Sequence, residues 1–202
     1  DWSSDVCSSD LYSELISLLF NDCKCENERK LLIELLDRFT YLCESDFNDA
    51  LNKLSDYLVG ESGLNAATTQ IVSLTADSYS DSGQSILYAL KGRLERRHWR
   101  EHLAINRFGA SYKEFNRTGK RHTNIVFVDE YIGSGKTVIS RVDEINRIYK
   151  GNGINNITIK VMTVAASTVG LDKIKEKNIE VKCIYEIKKG ITDFFIDINE
   201  RI

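Results

Sequence analysis

A short stretch near the middle of the chain combines two acids with a run of residues suited to holding an anion. The acids are Asp129 and Glu130. Glycines let a backbone wrap closely around an anion, and N–H groups at the start of a helix favour negative charge. Hydroxyl and ammonium groups can add hydrogen bonds to phosphate oxygens. The candidate phosphate-binding residues are Gly133, Ser134, Gly135, Lys136 and Thr137.

The residues before the acids indicate how the site is positioned. Ile125 to Val128 are four consecutive apolar residues, which is typical of a central parallel strand buried on both faces. The acids then stand at the carboxyl end of that strand, where ligands bind in open α/β sheets. A helix is predicted from Lys136, so the glycines would lie at its amino-terminal end.

Three interpretations of this stretch compete. Gly-Ser-Gly-Lys-Thr is the end of the G-x-x-x-x-G-K-[ST] loop of nucleoside triphosphatases. That loop needs a glycine five residues before Gly135, where this chain has Glu130. A carboxylate there would repel a triphosphate. A strand–turn–helix junction without a ligand is the second alternative, and a site for a phosphorylated sugar is the third and preferred one.

The whole stretch resembles the phosphoribosyl diphosphate signature of type I phosphoribosyltransferases, an apolar strand, two acids and a small Gly/Ser/Thr loop. The resemblance implies that Asp129 and Glu130 are catalytic, holding the ribose hydroxyls and stabilising positive charge at the anomeric carbon. It implies that residues 133–137 bind the 5′-phosphate and that Mg²⁺ accompanies the diphosphate, with no direct protein ligand assigned. Lys136 stands where metabolic enzymes usually have a small residue, which resembles the divergent phosphoribosyltransferase-like domains of bacterial conflict and anti-phage systems.

The resemblance implies a small-molecule phosphoribosyl ligand, with transfer or cleavage at its anomeric carbon. A non-catalytic sensor of the same ligand in a defence system is an alternative, because it would use the same loop. The small residues Val164 to Ser167 are placed after a later strand, where an acceptor base would have room.

A second polar loop, Asp77 to Gly83, precedes a predicted helix. The resemblance implies that Ser82 and Gly83 bind the diphosphate at that helix terminus. An ordinary capping turn is an equal alternative, because Ser and Asp are preferred N-caps. Asp77 and Asp81 would repel diphosphate unless Mg²⁺ intervenes.

The segment Lys91 to His122 is basic, with ten Lys and Arg against three Glu. Its second part, 108–122, is predicted to be a polar loop of the kind that closes over the diphosphate. A nucleic-acid-binding module is a third functional alternative, because aromatic residues interleave with the cations, but we expect nucleic acid not to be the partner. His98 and His102 are predicted to share a helix with Trp99, without a metal role. The interleaved aromatic residues are Trp99, Tyr112 and Phe115.

Hydrophobic periodicity predicts an α/β fold, a mainly parallel sheet with helices on both faces and an N-terminal helical segment. The resemblance implies that this sheet is of the phosphoribosyltransferase kind. Ser45 or Asp46 is predicted to cap the third N-terminal helical run, and Gly60 to end it. Strands are predicted at 67–74, 124–128, 157–164 and 179–187, and helices at 84–103, 136–149 and 168–177.

The predicted organisation has three parts. Residues 1–11 match the translation of a common sequencing-library adapter and are expected not to be natural protein. Residues 12–62 form the helical segment, which could contact a protein partner, and 63–202 form the phosphoribosyltransferase-like domain, expected to be truncated. Unpaired cysteines and the lack of a long apolar run predict a cytoplasmic protein without a membrane segment.

Overall fold

The computed structural model describes residues 14–74 and 82–189. Its contacts divide the chain into two compact units. The described part of the smaller unit is 14–41 with Lys189, and the larger unit runs from Leu42 to Lys188.

The smaller unit is helical, as predicted. A π-helical turn, Leu18–Asp22, is followed by helix α1, Glu26–Asp37, and neither contains a buried residue. Large apolar side chains are exposed instead, including Phe20 at 66% and Phe39 at 71%. This unit therefore presents apolar surface along the residues that the structure describes.

The larger unit is built on a five-stranded sheet in which every neighbouring pair is parallel. The strand order is β2-β1-β3-β4-β5. The predicted α/β class is confirmed. The strands are β1 (Thr69–Ser73), β2 (Leu103–Ile105), β3 (Asn124–Ile132), β4 (Thr158–Ser167) and β5 (Glu180–Ile187).

Helices cover both faces of this sheet, as predicted. Buried apolar residues of α2 and α3 pack in one hydrophobic core. Buried apolar residues of α4, α5 and α6 pack in a second hydrophobic core. Parallel crossovers are right-handed. The connection from β1 to β2 runs in one direction across the sheet and therefore lies on one face. The later connections run in the other direction and lie on the other face. The helices are α2 (Glu44–Asp56), α3 (Ser82–Arg96), α4 (Ser111–Arg117), α5 (Lys136–Gly151) and α6 (Thr168–Glu176).

The N-cap of helix α2 lies two to three residues before the predicted caps, Ser45 and Asp46. Cys43 is its N-cap residue, and Asp46 at the third helical position accepts the Cys43 backbone N–H at 3.2 Å. Asp46 thus completes a capping box and is not itself the cap. A π-helical turn, Tyr57–Glu61, continues the helix through Gly60, which was predicted to end it.

The predicted helix 84–103 is wrong over its last seven residues, about two turns. Helix α3 ends at Arg96, His98 has a positive φ of 60°, and Leu103–Ile105 form an edge strand. His98, Trp99 and His102 therefore do not share a helix. The His102 ring stacks on Trp99, and within 14–74 and 82–189 no three His, Cys, Asp or Glu residues cluster as metal ligands.

The predicted polar loop 108–122 is also corrected. It contains a 3₁₀ turn, Phe108–Ala110, and helix α4. Phe115 is 1% exposed and Phe108 is 7% exposed, so the segment is packed into the core. The apolar residues 108 and 115 are seven apart, a helical repeat that the surrounding charges and glycines obscured. None of the described helices is long and apolar enough to cross a membrane.

Candidate functional site

Strand β3 extends past its neighbour β1 at the carboxyl edge of the sheet. Val128 pairs with Ser73, the last residue of β1, whereas Asp129 pairs with Thr163 of β4. The chain leaves β1 toward β2 and leaves β3 toward β4, so the crevice between β1 and β3 is a topological switch point. Ligands bind at such points in open α/β sheets.

Asp129 contacts the amino terminus of α3 across this crevice. Its Oδ1 accepts the Glu130 backbone N–H at 2.8 Å and the Ser82 hydroxyl at 3.2 Å. Gly83 is buried beside Ser82, whereas Glu130 is exposed. The fold thus brings together two predicted groups of site residues that are 47 positions apart. The predicted acids Asp77 and Asp81 lie outside the described residues.

The candidate phosphate loop, residues 133–137, leads directly into α5. Gly135 is the N-cap residue of α5 and has a left-handed φ of 72°. A glycine cap has no side chain to accept the first helical N–H groups, so these groups can bind an anion. Ser134, Lys136 and Thr137 are exposed around this helix end. The predicted arrangement of small residues, hydroxyls and a cation is therefore accessible to a ligand.

The phosphate loop packs tightly against the start of α6. A Cβ added at Gly135 would lie 2.9 Å from the Gly170 carbonyl oxygen and 3.3 Å from Ile174. A Cβ added at Gly170 would collide with the Gly133 carbonyl oxygen. Both glycines are therefore required by this close approach.

Two hydroxyls of β4 contact this region and were not recognised as part of it. Thr163 donates to the Glu130 carbonyl at 3.0 Å. The Ser167 hydroxyl donates to the Gly133 carbonyl and accepts the Gly170 N–H at 3.0 Å. Residues 164–167 lie within β4 and do not follow it, because pairing with β5 continues to Ser167. A serine before a helix is an N-cap signal, but the sequence carries no signal for its contact with Gly133.

Several cations of the basic segment are used within the fold. Arg93 donates to Asn48 at 2.6 Å and to Asn52 at 3.2 Å, and Arg97 bonds Asp56 at 2.6 Å. These contacts join α3 to α2. Trp99 and Phe115, two of the three interleaved aromatics, are buried and therefore are not a stacking surface for bases.

Three solved phosphoribosyltransferases are structurally similar. The Helicobacter pylori xanthine-guanine-hypoxanthine enzyme is 12% identical, with 73% of this chain and 84% of that chain covered and a TM-score of 0.42. The Aeropyrum pernix orotate enzyme is 13% identical, with 72% and 73% covered and a TM-score of 0.41.

The third is the Schistosoma mansoni hypoxanthine-guanine phosphoribosyltransferase, solved in complex with IMP. It is 15% identical, with 75% of this chain and 69% of that chain covered and a TM-score of 0.48. No curated protein matches the sequence. The profile of the family PRTase-CE matches residues 21–195, which include the whole sheet and the acidic pair. This chain belongs to the PRTase-CE family and has a phosphoribosyltransferase-like fold.

Proposed function

We propose that this protein binds phosphoribosyl diphosphate, or a related ribose 5-phosphate compound, and transfers or cleaves at its anomeric carbon. The observation that carries the proposal is the position of Asp129 and Glu130 near the carboxyl end of β3, which leads through Tyr131 and Ile132 into a glycine loop at the amino terminus of α5. A phosphate and a neighbouring pair of sugar hydroxyls need these two kinds of group side by side.

Each part of the site has a role in this proposal. The N–H groups of residues 133–137 and the Lys136 ammonium bind the 5′-phosphate. Asp129 and Glu130 accept hydrogen bonds from the ribose hydroxyls and stabilise the positive charge that develops at the anomeric carbon. Ser82, which already donates to Asp129, lies at the helix terminus proposed to receive the diphosphate.

The proposed reaction breaks the bond between the anomeric carbon and the diphosphate oxygen. Diphosphate leaves with the electron pair, and a nitrogenous acceptor or water forms the new bond to that carbon. A loose, positively charged transition state suits a site with two carboxylates.

The donor set of this site suits Mg²⁺ carried by the substrate. Mg²⁺ is usually held by one or two carboxylates together with substrate phosphates and water. Asp129 and Glu130 supply the two carboxylates. Bound with the diphosphate, Mg²⁺ would supply charge neutralisation for the leaving group.

Calorimetric titration with phosphoribosyl diphosphate and Mg²⁺ tests the proposal. Asp129→Asn should weaken binding of the sugar ligand at least tenfold, about 1.4 kcal/mol, and leave inorganic phosphate affinity unchanged. Asp143→Asn on the exposed side of α5 is the matched control and should change neither. Tight ATP binding that is lost in Lys136→Ala and kept in Asp129→Asn would instead support a triphosphate loop.

A sensor of the same ligand is the second candidate. The exposed apolar residues of the smaller unit, such as Phe20 and Phe39, favour it because such surface is suited to a protein partner. Release of diphosphate on incubation with ligand and acceptor would identify the enzyme, whereas tight binding without release would identify the sensor. An anti-phage role and a cytoplasmic location belong to this proposal, supported by Lys136 and the free thiols.

A nucleic-acid-binding role is the weakest candidate. Its best test is a mobility shift with charge reversal at Arg96 and Arg100, which are both exposed. Arg97 is unsuitable for this test because its loss would also break the bond to Asp56.

A further inference from the structure

We propose that Thr163 and Ser167 of β4 are positioning residues for the site, and that β4, together with the glycines of the loop, sets the shape of the phosphate loop. This inference rests on the proposed function. The two hydroxyls are four positions apart on β4. Thr163 is bonded to the Glu130 carbonyl near the end of β3, and Ser167 is bonded to the Gly133 carbonyl in the loop between β3 and α5.

The direction of these two carbonyls decides which groups face a ligand. A carbonyl oxygen turned toward a phosphate would repel it, whereas an N–H group would bind it. Bonding the Glu130 and Gly133 carbonyls to β4 turns them away from the ligand. The peptide N–H groups of the loop are then left for the anion.

Of the two hydroxyls, that of Ser167 constrains the phosphate loop more. Its hydroxyl uses its donor on the Gly133 carbonyl and an acceptor position on the Gly170 N–H, so one side chain joins the loop to the start of α6. The same two segments approach so closely that Gly135 and Gly170 admit no Cβ. A bond at this point of close packing constrains the loop more than an exposed bond would.

Thr163 acts on the acids rather than on the loop. It is fully buried and pairs with Asp129 across the sheet. Its hydroxyl proton is shared between the Glu130 carbonyl at 3.0 Å and the Ala165 carbonyl at 2.9 Å, which ties the peptide after Glu130 to the backbone of β4. The proposal therefore separates two effects, with Ser167 setting phosphate affinity and Thr163 setting the additional affinity for ribose.

The chain contains matched controls for both hydroxyls at the opposite edge of the sheet. Ser62 also donates to a carbonyl, that of Leu58, and accepts an N–H, that of Leu64. Thr69 is a buried strand threonine whose hydroxyl donates to the Asn65 carbonyl. Ser62→Ala and Thr69→Val thus remove equivalent bonds without touching the site.

The test uses the whole chain and two independent measurements. The first is amide hydrogen exchange of Ile139 in the free protein, because its N–H donates to the Gly135 carbonyl of the loop at 3.0 Å. Ser167→Ala should accelerate this exchange roughly tenfold relative to Ser62→Ala, and Ser167→Thr should restore protection. Unchanged exchange in Ser167→Ala would overturn the inference, whatever the ligand proves to be.

The second measurement is titration with inorganic phosphate and with ribose 5-phosphate. Ser167→Ala should weaken both by the same factor, about tenfold, while Thr163→Val should weaken only ribose 5-phosphate. Equal losses in Thr163→Val and Thr69→Val would overturn the role of Thr163. If the wild-type protein binds neither compound, the proposed function fails, while accelerated exchange in Ser167→Ala would still support the loop-positioning role of Ser167.

Discussion

At the scale of single residues, this fold separates two reasons for a glycine, a left-handed backbone conformation and a lack of space for a Cβ atom. Gly135 combines a φ of 72° with a neighbour 2.9 Å from its missing Cβ. Gly153 has a similar φ of 76° but nothing within 4 Å. The first position needs glycine for conformation and for space, and the second needs it for conformation alone.

Gly135→Ala should therefore destabilise the protein more than Gly153→Ala does. The left-handed conformation costs an alanine about 1–2 kcal/mol at either position. The overlap with Gly170 should add about 1–3 kcal/mol at Gly135. Urea denaturation of the two variants measures the difference in free energy of unfolding. Equal losses would show that α6 yields to the added methyl group.

We expect Cys183 on β5 to lower the free energy of unfolding as the pH becomes alkaline. Burial raises the pKa of the Cys183 thiol to about 11, above the value of about 8.5 for an unfolded chain. The folded state then holds the proton more tightly than the unfolded state. The stabilisation is fully present below about pH 8.5 and is lost as the pH rises toward about 11.

Cys183→Val should reduce this alkaline loss by about 1 kcal/mol, a value kept small because the thiol is only partly buried. The measurement is urea denaturation of both proteins at about pH 8 and about pH 10.5. A parallel decline of the two proteins would exclude Cys183 as the titrating group.

At the scale of elements, a buried ring of hydrogen bonds joins β1, α4 and α5. Gln70 donates to the Tyr149 hydroxyl at 3.0 Å and to the His122 carbonyl at 2.7 Å. Ser111 donates to the Gln70 side-chain oxygen at 2.8 Å and lies 3.0 Å from the Tyr149 hydroxyl. The hydroxyl of Tyr149 must then donate to Ser111, which closes the ring. Burial raises the pKa of Tyr149, consistent with a protonated donor.

Gln70→Leu should cost more stability than Tyr149→Phe. Loss of the Tyr149 hydroxyl leaves Gln70 and Ser111 bonded to each other, so the expected cost is about 1 kcal/mol. Loss of Gln70 removes the partner of three buried groups, the His122 carbonyl and the hydroxyls of Tyr149 and Ser111. The expected cost is about 2–3 kcal/mol or more. Thermal or urea denaturation gives the order, and the reverse order would contradict the assignment of Gln70 as the centre of the ring.

At the scale of the whole molecule, helix α2 contributes to the core on one face of the sheet. Leu51, Leu54 and Leu58 are at most 1% exposed and pack in the same core as Ile86 and Val126. The predicted domain boundary at 62/63 would remove these leucines from the sheet. The division of contacts between residues 41 and 42 keeps these leucines in the same unit as the sheet.

Two truncations test where the domain begins. A chain of residues 42–202 should unfold cooperatively in urea, as followed by circular dichroism. A chain of residues 63–202 should not, because each lost core leucine costs about 2–5 kcal/mol against a total stability of about 5–15 kcal/mol. Cooperative unfolding of the shorter chain would instead support the boundary at 62/63.

The sequence alone determined the strand that carries the acids, the glycine loop after it, and the alternation of later strands and helices. These features depend on local periodicity and on residue types with few structural uses. Between residues 97 and 122 the sequence pattern led to wrong predictions of secondary structure. There a three-residue edge strand and a seven-residue helix are too short to establish a period, and their charged neighbours resemble those of a loop.

Only the tertiary structure decided which distant residues meet at the site. These contacts depend on strand order and register. They are the bond between Ser82 and Asp129, the contact of Thr163 with Glu130 in β3, and the contact of Ser167 with Gly133 in the phosphate loop. A side chain's hydroxyl type is visible in the sequence, but its partner is not. The partner is fixed by parallel pairing, which aligns β4 beside β3 and brings the start of α6 against the phosphate loop.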